Sequence, residues 1–345
     1  MRARWVRIMV VASLLALAVV PASAASAAVR RGGAPCSGKA ETSEIKLMTD
    51  WFLWAATGPF AAAIEAGYFE DEGLEVELLP APDAAAPIKF AARGSVDLAL
   101  SYIPETLAAV EQQIPVVSVG TTLRVLENAL AYWPDTGIET PADLKGKTIG
   151  VTSDLQTQVY FDTLLTEAGL TRDDVTIVDP GYSATTSLAE RSVDASAPQL
   201  VFTDEVRFPA LVGDTPEHFL YTDYGVPEDL YWLLIIANDD FAKENPNTVC
   251  RFLRATAKGT DKYIADPDAA NKLIAKDNDS FPLEVHAAMG ANLEEFWKGE
   301  NGELLKQSAT VWKHAQQWAL DVGLIEVKNK PSVYFTNKYL PEDLR

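Results

Sequence analysis

Apolar positions along this chain alternate between short uninterrupted runs and longer stretches at helical spacing. Residues 45–48 and 76–79 are the first such runs and predict strands. Between them the spacing predicts a helix over 59–66: Gly58-Pro59 places a proline in its first turn, and Gly67 allows the left-handed turn that stops it. Strand, helix and strand in that order form a βαβ unit. A helix over 87–92 then leads through Arg93-Gly94 to a strand at 98–100. Another, over 105–112, leads through Pro115 to a strand at 116–119.

A second series opens after Trp133-Pro134. A short helix starts at Thr140-Pro141, a strand follows at 148–151, and Ser153 stands three residues before Gln156, the spacing of a capping box, ahead of a helix ending at Gly169. A strand at 175–178, a helix over 185–191 and a strand-like Leu200-Val201 continue the alternation. The run 231–237 is almost purely apolar, which suits a buried strand crossing back between two lobes. Beyond Asn245-Pro246 the pattern is helical through Asp321, and Trp297, Trp312 and Trp318 fall in apolar company that predicts packing.

The first residues read differently. Arg2, Arg4 and Arg7 precede an apolar run over 8–20 and then a series of small residues, which predicts a secretory signal peptide cut after Ala24 or Ala28. No later segment approaches roughly 18 uninterrupted apolar residues, so the expected product is an extracytoplasmic, unanchored chain. About 310 residues then remain, more than one core usually accommodates, and two α/β lobes are expected. The formal charge of −20 makes nucleic acid an unexpected partner and disfavours anions at long range. The two cysteines, Cys36 and Cys250, lie in a compartment that permits oxidation. Arg30-Arg31 and Gly33-Ala34-Pro35 make a poor lipobox, so a Cys36–Cys250 disulfide is preferred over a lipid anchor on Cys36, with two free thiols as the alternative.

Catalytic patterns are missing. His218, His286 and His314 lack metal-site spacing, and the chain has no nucleophile elbow, P-loop or dinucleotide fingerprint, so neither a catalytic residue, a metal nor a cofactor is expected. The adjacent acids Asp204-Glu205 and Asp239-Asp240 read as solvated surface. Binding is better supported. Trp51, Trp54 and Tyr102 sit where strands hand over to helices, the places where open α/β sheets hold small ligands, and their faces suit a flat heterocycle. Asp50 stands beside them, and Glu105 would accept a hydrogen bond from a ring amino group, or merely favour the helix start. From the second lobe the candidates are Ser153, Gln156, Phe202, Thr203 and Glu205, with Tyr182 and Tyr231 weaker. Arg124 is the main basic residue near these loops.

The segment 47–79, with its run A-x-x-x-G-Y-F-E-D-E-G-L-E-V-E, followed by Gly94-Ser95-Val96-Asp97 and Ser101-Tyr102-Ile103-Pro104-Glu105, resembles the NMT1/THI5-like solute-binding proteins. The resemblance implies an α/β, two-lobe, periplasmic-binding-protein type II-like fold with the ligand cleft between lobes. The implied division is a signal peptide at 1–28, an extension at 29–43, lobe 1 at 44–130, lobe 2 at 131–235, and a return to lobe 1 with C-terminal helices at 236–345. It further implies a monomeric component of an ABC importer that binds a thiamine-pyrimidine-like heterocycle and docks on a membrane permease. Sulfonate, nitrate or riboflavin binding are alternatives within the family. Its yeast-type members make the pyrimidine themselves, and carry a histidine shortly after the aspartate-tryptophan pair and a cysteine-rich motif. Here the turn after Asp50-Trp51 reads FLWAATG, which argues against that activity.

Overall fold

The computed structural model describes residues 36–124, 127–299 and 301–345, so the expected signal peptide and the extension up to residue 35 lie outside the described residues. The chain first forms β1 (Glu44–Met48), α1 (Gly58–Glu65), a short α2 (Tyr68–Asp71), β2 (Glu75–Leu79), α3 (Ala86–Ala92), β3 (Leu98–Ser101), α4 (Ile103–Glu111) and β4 (Val116–Leu123). It then builds β5 (Asn128–Tyr132), β6 (Thr148–Val151), α5 (Leu155–Glu167), β7 (Thr176–Val178), α6 (Ala184–Ala189), β8 (Ala195–Leu200), α7 (Val201–Val212) and β9 (Glu217–Leu220). It returns through β10 (Leu233–Asn238) to α8 (Asp239–Glu244), α9 (Pro246–Ala265), α10 (Asp268–Asp277), α11 (Leu283–Asn292) and α12 (Ala309–Asp321).

Two five-stranded sheets result, ordered β2-β1-β3-β10-β4 and β7-β6-β8-β5-β9. Each is parallel except for one inserted antiparallel strand: β10 between β3 and β4, and β5 between β8 and β9. The two α/β lobes expected from the alternation are therefore present, but the chain changes sheet at other positions. β5 already pairs within the second sheet, so the first change falls after Leu123 and before Asn128 instead of at 130, and β10 rejoins the first sheet from Leu233 instead of 236. The physical reason is that β5 is set by pairing with a distant strand, Asn128 opposite Leu200, and carries no local turn marker.

The run Leu233–Ala237 is wholly buried, because an inserted strand has neighbours on both edges and helices over both faces. Helix α1 lies against α9 so closely that only glycine fits at the contact: a Cβ on Gly259 would stand 2.1 Å from the Pro59 carbonyl oxygen. Just beyond α2, Glu72 is nearly buried and receives Arg251 at 3.2 Å, Arg254 at 3.1 Å and Lys258 at 3.5 Å, all from α9. The F-E-D-E-G motif thus anchors a helix rather than a ligand. A disulfide joins Cys36 to Cys250 on α9, with Cα atoms 5.4 Å apart, and Arg251 also donates to the Gly38 carbonyl at 2.8 Å, so the segment preceding β1 is tied to this helix. The three C-terminal tryptophans are buried, Trp312 stacking on both Tyr334 and Phe335 at 5.7 Å. Among the described residues no helix is long and apolar enough to cross a membrane.

Two outcomes follow from this packing. Gly259→Ala should lower stability by about 1–3 kcal/mol in a denaturant titration, because the clashing atom is backbone and has no rotamer to retreat into. Thiol titration of unfolded, unreduced protein should find no free cysteine, and Cys36→Ser should cost about 2–4 kcal/mol by releasing a long loop in the unfolded chain.

Candidate functional site

Both sheets send chain ends to one cleft. β1 and β3 run parallel, so the residues after them, Asp50-Trp51 and Tyr102, emerge at the same edge. β10 runs the other way, and Leu234 opposite Ser101 puts its start, with Trp232, at that edge too. In the second lobe β6 and β8 deliver Thr152, Asp154 and Leu200, and antiparallel β5 begins there with Asn128. Together these residues enclose a cavity between the lobes with about 80 Å³ of water-accessible space.

Five aromatic side chains, Trp51, Trp54, Tyr102, Tyr182 and Trp232, contribute to its wall. Trp54 meets Trp51 edge-on at 5.9 Å and Trp232 edge-on at 5.7 Å; Tyr102 lies 5.9 Å from Trp232, and Tyr182 lies 6.2 Å from Trp51. The polar wall is acidic. Asp50, only 4% exposed, accepts a hydrogen bond from the Tyr102 hydroxyl at 3.0 Å on Oδ2, while Oδ1 has no partner at hydrogen-bonding geometry. Burial pushes its carboxyl up to about 6, partly offset by the Tyr102 hydrogen bond. Asp154 caps α5, accepting from the Thr157 amide at 2.8 Å and from the Thr152 hydroxyl, and burial raises it as well.

Glu105 stands one step behind this wall. Its Oε1 accepts the Gln156 amide at 2.9 Å, so a first-lobe carboxylate sits on the amino end of second-lobe α5, where the helix dipole favours an anion. Its Oε2 is unpartnered, and burial, followed by the charge of Asp154, pushes the group up to about 8. The cavity also holds a guanidinium. Arg207, 3% exposed, pairs with Asp204 at 3.4 Å, donates to Gln199 Oε1 at 3.1 Å and to the Thr185 hydroxyl, and lies 5.6 Å over the Trp51 ring. Asp204 in turn faces His218 Nε2 at 3.0 Å.

Of the residues singled out in the sequence, Asp50, Trp51, Trp54, Tyr102 and Gln156 line the cavity, and Glu105 touches its wall through Gln156. The others lie elsewhere. Ser153 is exposed and caps nothing; Asp154 is the N-cap, so the helix starts one residue later than the Ser153 spacing suggested. Thr203 is fully buried, bonding back to the Leu200 carbonyl. Phe202 packs on Phe296 at 5.1 Å, and its carbonyl accepts Asn292 Nδ2 at 2.7 Å, so it joins the lobes instead of facing the cavity. Glu205 borders the same outer groove as Phe202. These three were placed by a strand thought to continue through Val201, whereas α7 begins at Val201 and turns them away. Asp204, read as surface, is wholly buried, because Arg207 one helical turn on neutralises it.

The sequence reading missed Trp232, Asp154 and Arg207 and undervalued Tyr182, whose hydroxyl crosses the cleft to the Ala81 carbonyl at 3.1 Å. Only Asp154 had a usable local marker, the threonine three residues on. Among the described residues no three His, Cys, Asp or Glu side chains converge to hold a metal ion.

A family model described as NMT1/THI5 like matches residues 54–270. The chain belongs to the NMT1/THI5-like family. A formylaminopyrimidine-binding protein of Halalkalibacterium halodurans is 30% identical over 280 residues, which cover 79% of this chain and 84% of that protein. A 4-amino-5-hydroxymethyl-2-methylpyrimidine phosphate synthase of Aspergillus parasiticus is 26% identical over 87% of this chain and 88% of its own. Among solved structures, the alkanesulfonate-binding protein SsuA of Xanthomonas axonopodis pv. citri, bound to MOPS, superposes with a TM-score of 0.66 at 16% identity, covering 86% of this chain and 99% of that one. The periplasmic nitrate-binding protein NrtA of Synechocystis gives 0.63 at 12% identity, covering 88% of each chain. These two likenesses establish the periplasmic-binding fold, and the family comprises both binders and synthases.

The raised carboxyls carry a sign. A carboxyl that holds its proton longer when folded stabilises the fold at low pH and loses that contribution as pH rises, from the ordinary carboxylate range up to about 6 for Asp50 and about 8 for Glu105. Urea midpoints of the unliganded protein should therefore fall between pH 5 and pH 8.5. The fall should be smaller in Glu105→Gln, whose amide cannot ionise.

Proposed function

We propose that this chain is the extracytoplasmic solute-binding component of an ABC importer, closing its two lobes over a small aromatic nitrogen heterocycle of the thiamine-pyrimidine type. The observation that carries this reading is the cavity itself: it is lined by aromatic rings from both lobes and by the buried carboxyl of Asp50, whose Oδ1 has no hydrogen-bond partner. Ring faces hold a flat ring, and a carboxylate accepts from a ring amino group. The formylaminopyrimidine-binding relative supports the same ligand class.

Function is then closure without covalent change. A ligand touching Trp51, Asp50 and Tyr102 on one side and Gln156 and Tyr182 on the other favours the closed arrangement by contacts that an open one lacks. The closed protein, a monomer released by its leader, presents itself to a membrane permease. Sulfonate or nitrate fits less well, because the one guanidinium in the wall is already matched by Asp204. Pyrimidine synthesis is disfavoured by the absence of a histidine in the turn after Asp50-Trp51.

Calorimetric titration with hydroxymethylpyrimidine, its formylamino relative, riboflavin and taurine tests this reading. The pyrimidines should bind, and Trp51→Ala should weaken them by about 10- to 100-fold, through loss of a ring face and its apolar contact, with a smaller effect on stability. Tight taurine binding would move the protein to the sulfonate branch, and unchanged affinity in Trp51→Ala would remove that ring from the site.

A further inference from the structure

We propose that the cavity takes its ligand as a cation: a planar ring carrying positive charge, held among the aromatic faces with its charged edge on Asp50. This rests on the reading of the same cavity as the ligand site and adds the ligand's charge state to it.

The first ground is the charge balance of the wall. Asp50 and Asp154 face the cavity, and Glu105 abuts it through the Gln156 amide. Among the described residues the only cation in the wall is Arg207, and it is matched by Asp204 at 3.4 Å and engaged by Gln199 and Thr185. Three carboxyls thus lack any basic partner. Asp154 is satisfied by its own helix cap, but Asp50 keeps one oxygen unpartnered at 4% exposure. An isolated carboxylate in such a place is costly, and a positive charge beside it removes the cost.

The second ground is independent of the acids. Trp51, Trp54, Tyr102, Tyr182 and Trp232 line one small space, and ring faces attract cations in proportion to how dry the site is. A protonated ring nitrogen offers a charged N–H donor, and a charge-assisted hydrogen bond of that kind is the one a carboxylate accepts most strongly. The groups facing Asp50 are the Tyr102 hydroxyl, Trp54, Tyr182 and the charge of Asp154, while Glu105 faces Asp154 and Tyr160. None of these supplies a positive charge. Burial, with no positive charge facing them, holds both the Asp50 and the Glu105 carboxyls above the ordinary carboxylate range.

The test compares 4-aminopyridine, cationic at neutral pH, with aniline, an uncharged ring of the same shape, by competition calorimetry at pH 7.5. The cation should bind the natural protein about tenfold or more tightly than aniline. Asp50→Asn, which keeps shape and the Tyr102 contact, should reduce the preference to within about twofold. Equal affinities in the natural protein, tighter aniline, or no binding of 4-aminopyridine overturns the inference even where aminopyrimidines bind. A cation preference that persists while every aminopyrimidine fails would instead overturn the pyrimidine assignment. The comparison in the natural protein stands whether or not Asp50→Asn folds.

Discussion

The return strand β10 constrains the rest of this molecule. It enters the first sheet between β3 and β4, satisfying the backbone groups of both, and is buried along Leu233–Ala237. Such a strand must be apolar on both faces, which accounts for its composition, and antiparallel, because it enters from the cleft side after the second lobe is complete. Trp232 therefore lies at the cavity edge between Tyr102 and Trp54. One insertion thus closes the sheet, connects the lobes and places a wall of the site. The second lobe repeats the device with β5, whose first residue, Asn128, bonds Gln156 Oε1 at 3.1 Å.

The lobes meet through few but specific contacts. Glu105 on the α5 amide, Tyr182 on the Ala81 carbonyl, Asn292 on the Phe202 carbonyl, and Trp318 edge-on to Tyr160 at 5.5 Å each join groups from different sheets or their flanking helices. Such ties are individually modest, on the order of 1 kcal/mol for a hydrogen bond. Glu105 is the most consequential of these ties, because it joins lobe contact to the electrostatics of the cavity.

The segment that follows β1 divides into two jobs. Asp50, Trp51 and Trp54 serve the cavity, while Glu72 anchors α9 through its three basic partners and the disulfide reinforces the same helix. Relatives are named both as a pyrimidine-binding protein and as pyrimidine phosphate synthases.

By itself the sequence determined the elements whose information is local. The alternation of apolar runs and helical spacings, the Gly-Pro start and glycine stop of α1, the apolar run of β10 and the aromatic turn after β1 each follow from neighbouring residues. The first-lobe side of the cavity was therefore legible in Asp50, Trp51, Trp54 and Tyr102. Tertiary structure alone decided what depends on strand direction and on partners far along the chain. β5 and the direction of β10 are set by pairing across long separations, and with them Asn128 and Trp232. Asp204 reads as an ordinary surface charge until the fold buries it against Arg207, and a shift of one residue at α5 exchanges Ser153 for Asp154. Local pattern encodes where the chain turns and which face is apolar, whereas the meeting of two lobes, and hence the charge of the space between them, exists only once both are built.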